Sequence, residues 1–196
     1  MTTSVVLVGV GGQGILLASE IVAQAAVAAG FDVKTNEVHG MAQRGGSVIA
    51  QIRYGDRIGE RVYSPLVPKH TAQVLGSLER IECLRNIDYL AEGGLAVVSS
   101  QKIVPVTAST GGTQYPDVDE RFLSEYFPRL VYLDAVEMAT ELGNAKTANT
   151  ILLGAMSTQL ELPEKAWEEA IRRSVKDKFV DVNIKAFQRG RNSAAV

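Results

Sequence analysis

Apolar and polar positions follow one another along this chain in blocks whose period changes from element to element. Val5, Val6, Leu7 and Val8 form an unbroken apolar run, the pattern of a strand buried on both faces. The run passes through Gly9, Gly11, Gly12 and Gly14 into an Ala-rich stretch with helical spacing that Gly30 ends. Strand, glycine turn and helix are predicted in that order. Phe31 to Thr35 reads as a second strand that closes a β-α-β unit. Over 47–54, Val48, Ala50, Ile52 and Tyr54 share one side and the polar Ser47, Gln51 and Arg53 the other, as in a half-exposed strand. Gly55 and Asp56 then turn the chain into Arg57 to Tyr63, and a hairpin is predicted.

The two prolines of SPLVP, residues 64–68, make a stiff connector. After the short apolar segment 72–75, Leu78, Ile81, Leu84, Ile87 and Leu90 recur at helical spacing, which predicts a helix over 77–91 terminated by Gly93 and Gly94. Leu95 to Val98 is another buried strand. Residues 99–119 hold no periodicity and read as a loop with a short strand at 103–106. A short helix at 121–127 and a strand at 130–133 follow, and Asp134 is placed to cap a helix over 135–142 that Gly143 stops. Three helices, 147–160, 163–175 and 180–188, complete the chain, with Gly154 and Ala155 allowing close approach of a neighbour. Trp167, in line with Ile171 and Val175, reads as a core or interface anchor. The whole predicts one α/β domain over 1–196: Rossmann-like, a mostly parallel sheet with helices on both faces and a helical C-terminal segment.

Composition narrows the function classes. Hydrophobic residues at 46% and charged residues at 21% are ordinary for a soluble globular domain. A net charge of -2 supplies no field to attract nucleic acid or an anionic membrane. No apolar run approaches the roughly 20 residues that span a bilayer, and the first residues lack the pattern of a signal peptide, so a cytoplasmic location is expected. Cys83, the single cysteine, cannot form an intrachain disulfide or supply four thiolates to an iron-sulfur cluster. With His39 and His70 it makes no zinc spacing either, so no metal site is expected. It reads as a partly buried helix thiol rather than a nucleophile.

Two glycine-bearing stretches are the candidates for chemistry. Gly9-x-Gly11-x-x-Gly14 has the spacing that lets backbone N–H groups approach a phosphate at the start of a helix; equally, its glycines could serve only a tight turn and close packing. Glu37, 23 residues beyond Gly14, is either an acid for a ribose hydroxyl or a solvated side chain. In HGMAQRGG, Arg44 offers a fork of donors beside Gly45 and Gly46, suited to phosphate or carboxylate or to a carboxylate of the same chain. His39 reads as a loop residue. From Arg44 to Lys69, five basic residues (with Arg53, Arg57 and Arg61) face only Asp56 and Glu60, a surplus for an anionic partner or merely a solvated face. No Ser-His-acid order, HExxH or GxxxxGK[ST] is present, so no catalytic residue is assigned. A binding domain or an enzyme subunit fits better than a self-contained enzyme.

GVGGQGILLAS, NEVHGMAQRGGSVIAQIRYG, YSPLVP and LDAVEMATELGN…NTILLGAMS, in that order, resemble the gamma-type domain of 2-oxoacid:ferredoxin oxidoreductases from Val5 to about Phe187. HGMAQRGG in particular is similar to the small subunits of the indolepyruvate type. The resemblance implies a non-catalytic subunit beside a large alpha subunit that carries thiamine diphosphate and 4Fe-4S clusters. Such a complex decarboxylates a 2-oxoacid, reduces ferredoxin and yields an acyl-CoA. It further implies that Gly9, Gly11, Gly12, Gln13 and Gly14, together with Arg44, Gly45 and Gly46, face the shared active site or the phosphates of coenzyme A. The other readings are a gamma subunit of a pyruvate or 2-oxoglutarate enzyme, a free-standing nucleotide-binding module using Glu37, and a purely structural subunit.

Overall fold

A computed structural model describes residues 2–40, 45–55, 59–104 and 115–194. Six strands, β1 (Thr2–Val10), β2 (Val33–His39), β3 (Ser47–Gly55), β4 (Ala72–Ser77), β5 (Leu90–Ser99) and β6 (Leu130–Leu133), form one sheet in the order β2-β3-β1-β4-β5-β6. The pairs β1–β4, β4–β5 and β5–β6 are parallel, and β3 is antiparallel to both β1 and β2. Five strands therefore point one way and β3 alone runs against them.

Helices cover both faces, as the alternation of elements predicts. The larger core gathers α1 (Ile15–Ala28), α4 (Ala135–Glu141), α5 (Ala148–Met156), α6 (Glu164–Ser174) and α7 (Val180–Ala194) over Val5 and Leu7 of β1. The smaller places α2 (Arg80–Arg85) and α3 (Glu120–Ser124) over Val6 and Val8. This explains the unbroken apolar run: all four side chains are 0% exposed, and burial of each contributes about 1.5–3 kcal/mol. Trp167 stacks on Phe187 with ring centroids 5.4 Å apart, inside the core. At the α5–α7 crossing, a Cβ on Gly154 or Gly190 would strike the backbone of the opposite helix, which is the close approach predicted for Gly154. α7 runs to Ala194, past the expected stop at 188, and carries Gly190 into that contact.

β6 lies where the sequence puts it, and the Asp134 carboxylate accepts the Glu137 N–H at 2.9 Å as the expected cap of α4. Elsewhere the elements differ. The second strand runs from Val33 to His39 and does not pair with β1, because β3 is inserted between them. β2 and β3 are antiparallel neighbours, so HGMAQRGG begins at the end of β2 and leads to the start of β3, with 41–44 outside the described residues. Among the described residues no strand lies between Gly55 and β4, so the predicted hairpin partner is absent from 59–71; Asp56 to Ile58 lie outside the described residues. Residues 60–68 cross the second face of β3 as a strap instead. Val62 N–H donates to Asp32 at 2.8 Å, Val67 N–H to Gln51 Oε1 at 2.7 Å, and Arg53 Nη1 to the carbonyls of Ser64 and Leu66 at 3.0 and 3.2 Å. Gln51 is 4% exposed for that reason, and β3 is not half exposed.

The helix expected over 77–91 resolves into the end of β4, the short α2, a 3-10 turn at Ile87–Tyr89 and the start of β5. Gly93 and Gly94 lie within β5, where the +72° φ of Gly93 accompanies an irregular register, and they end no helix. Ile103 and Val104 are not in a strand, and Pro105 and Val106 are outside the described residues. No described helix is long and apolar enough to cross a membrane.

Candidate functional site

The glycine turn sits at the carboxyl end of β1, where it meets the carboxyl ends of β4 and β5 and the start of α1, the usual place for a ligand in a sheet of this kind. It is held from three sides. The Gln13 side chain accepts the Val10 N–H at 2.7 Å and donates to the Leu78 carbonyl and to Gln101 Oε1, both at 2.7 Å, tying β1 to the segments that leave β4 and β5. Asn149, buried at the start of α5, donates to the Gly14 carbonyl at 3.1 Å. Gly11 N–H donates to the Gly46 carbonyl at 2.8 Å, which joins the two glycine stretches of the sequence directly.

These glycines have different reasons. A Cβ at Gly9 would lie 2.7 Å from Gln13 Oε1 and 2.8 Å from Ile15 Cδ1, so its role is packing. Gly14, the N-cap of α1, has φ +79° and would meet Asn149 at 2.6 Å. Gly12 (φ +105°) and Gly45 (φ +82°) require left-handed backbone yet have nothing within 4 Å. Both are exposed, one on each side of the Gly11–Gly46 bond.

The electrostatics favour an anion. No side chain caps α1 and no acid lies in its first turn, so its first N–H groups and the positive end of a 14-residue helix are left for another acceptor. A cleft of about 480 Å³ opens there, lined by Gly12, Gly14, Leu17, Gln101, Asn149 and the exposed Lys146. A larger groove of about 840 Å³ follows the outer edge of β6 beside Arg191 and includes none of the glycine-turn residues.

Of the sequence candidates, Gly9, Gly11, Gly12, Gln13, Gly14, Gly45 and Gly46 come together, while Arg44 lies outside the described residues. Glu37 does not join them. It is exposed on the edge strand, 3.8 Å from His39 Nε2, with β3 between it and β1. The basic surplus is partly used within the chain: Arg53 holds the strap and Lys69 pairs with Asp88 at 2.8 Å. Cys83 is 0% exposed and burial pushes its thiol up to about 12, so it is a core thiol and no nucleophile. Among the described residues no group of three His, Cys, Asp or Glu could hold a metal ion.

Sequence reasoning missed Gln101, Asn149 and two acids of the α2 turn. Glu79 caps α2, accepting from Ile81 and Glu82 N–H at 2.8 and 3.1 Å, and also accepts the Ile103 N–H at 3.2 Å and the Tyr115 hydroxyl. Glu82 accepts from Ser47 Oγ at 2.5 Å. The only signal for either acid was its place beside an apolar stripe.

The described residues thus form a parallel-rich α/β sheet with two glycine turns joined at an uncapped helix start. Residues 4–193 match the pyruvate ferredoxin/flavodoxin oxidoreductase family model, and the chain belongs to that family. It is 43% identical to the indolepyruvate oxidoreductase subunit IorB of Thermococcus kodakarensis, over 97% of this chain and 95% of that one. The keto/oxoacid ferredoxin oxidoreductase gamma subunit of Geobacter sulfurreducens superposes with a TM-score of 0.72 at 25% identity, covering 98% of both chains. The 2-oxoglutarate:ferredoxin oxidoreductase of Magnetococcus marinus shares the fold, with a TM-score of 0.74 at 21% identity over 98% of this chain and 31% of that one; it was solved with 2-oxoglutarate, coenzyme A and succinyl-CoA bound. These relationships support an oxidoreductase subunit and not a free-standing nucleotide-binding module.

Proposed function

We propose that this chain is the small subunit of an indolepyruvate-type 2-oxoacid:ferredoxin oxidoreductase and that it places coenzyme A for a large catalytic subunit. That cytoplasmic partner would hold thiamine diphosphate and the 4Fe-4S clusters and pass electrons to ferredoxin. The observation that carries the reading is the Gly11–Gly46 hydrogen bond, which brings both glycine turns of the family-like sequence to the open end of α1. The substrate class follows the name of the 43% identical relative.

The residues fit a phosphate-bearing ligand. Gly12 and Gly45 leave space where any other residue would place a Cβ, the α1 N–H groups are uncapped, and Lys146 adds a cation at the rim of the cleft. Coenzyme A, when bound, supplies the thiol that takes the acyl group. This chain's share is to bind and orient: backbone N–H groups grip a phosphate, and the Arg44 guanidinium provides a fork of donors to an anionic oxygen. With one cysteine the chain holds no cluster of its own.

A tagged chain purified from its native host is expected to bring with it a large, brown, thiamine-containing partner whose activity is highest with indolepyruvate among indolepyruvate, pyruvate and 2-oxoglutarate. A colourless monomer would overturn the subunit reading, and preference for another 2-oxoacid would overturn the substrate. In that complex, Arg44→Ala should leave assembly intact and raise the KM for coenzyme A about tenfold or more. An unchanged KM would remove the loop from the coenzyme site.

A further inference from the structure

Glu82 is a buried acid with a specific aim. Its side chain is 5% exposed, and burying a carboxylate is costly unless both oxygens find donors. Both do: Oε2 accepts from Ser47 Oγ at 2.5 Å and Oε1 from Arg85 Nη1 at 3.1 Å. The backbone beneath is fixed as well, since Asn86 Nδ2 donates to the Glu82 carbonyl at 2.9 Å and the adjacent Cys83 is packed in the smaller core.

Ser47 is where the β2–β3 connection re-enters the sheet. It pairs with Val10, the last residue of β1, and its carbonyl accepts the Gly40 N–H at 2.9 Å, which closes the base of the hairpin connection. The next residue toward the connection, Gly46, takes the Gly11 N–H. Glu82 therefore grips the chain one residue from the bond that unites the two turns. On either side of that bond, Gly12 and Gly45 are left-handed, exposed and touched by nothing that would fix them sterically.

We infer that Glu82 is a positioning residue: through the Ser47 hydroxyl it holds the Gly45–Gly46 turn against the glycine turn and so sets the affinity of the joined site for coenzyme A. The inference rests on the coenzyme-placing reading given above. An apolar residue at this position would keep α2 packed but release Ser47. Glutamine would keep an acceptor for the hydroxyl while giving up the charge.

The test is steady-state kinetics of the assembled complex carrying Ser47→Ala, Glu82→Ala or Glu82→Gln, with Arg44→Ala as reference. Ser47→Ala and Glu82→Ala should each raise the KM for coenzyme A about five- to tenfold while kcat and the KM for the 2-oxoacid stay within about twofold. Glu82→Gln should remain within about twofold of the parent in all three. Should Glu82→Ala fail to assemble, Ser47→Ala, which deletes one hydroxyl and leaves the Arg85 pair in place, decides alone. A normal coenzyme A KM in Ser47→Ala beside a raised one in Arg44→Ala overturns the positioning role only. Normal values in both overturn the site itself. A fall in kcat with every KM unmoved would mean lost folded complex, and it too overturns the role.

Discussion

At the α5–α7 crossing, a Cβ on Gly154 or Gly190 would run into the backbone of the facing helix, whereas at Gly12 and Gly45 the same atom would meet nothing within 4 Å. The first pair lets two helices touch and contributes to the core that holds Trp167 and Phe187. The second pair bends backbone around open space, and no packing among the described residues requires it. Gly9 belongs with the first group although it opens the fingerprint motif, and Gly14 combines both demands. A motif made of one residue type thus divides into positions that packing requires and positions that it does not.

Substitution separates the two groups. Gly190→Ala drives a methyl into the Ile151 carbonyl and should cost roughly 3 kcal/mol, lowering the melting temperature by about 6–12 °C in a thermal scan. Gln13→Ala leaves the Val10 N–H, the Leu78 carbonyl and Gln101 without their partner; about 2 kcal/mol should be lost, read from the urea midpoint at constant m-value. Gly12→Ala meets no atom and carries only the cost of its φ, about 1 kcal/mol, so near-parental stability should accompany weakened coenzyme A binding. If Gly12→Ala were as destabilising as Gly190→Ala, the distinction between the groups would be lost.

Patterns that depend on one face or one turn were readable without coordinates. β1 and the Leu95–Val98 run of β5 show their double burial as apolar runs, and Asp134 shows itself as a cap because a cap is a local interaction. What was not readable depends on contacts far apart in sequence. Gln51 looks like a solvent-facing residue until the strap covers it. Leu78 to Leu90 has the helical period, yet the Ala72–Leu90 pairing claims the end of that run for the sheet. Gly93 looks like a helix stop because a left-handed glycine serves a strand irregularity and a helix end equally well. The two glycine stretches of the site were each legible as local sequence. Their union through Gly11 and Gly46, and the Glu82 side chain beside it, required the sheet order.

The reversed strand also has a consequence during synthesis. β1 is completed at Val10, but its neighbours are β3, finished at Gly55, and β4, finished at Ser77. At ordinary elongation rates a nascent chain therefore carries four fully apolar residues on an unpaired strand for roughly two to nine seconds before even the first neighbour exists. α1, made next, is the first element available to shield one face of that strand in the interval. Solubility of newly made chains should thus be more sensitive to the apolar face of α1 than the stability of the finished fold would indicate.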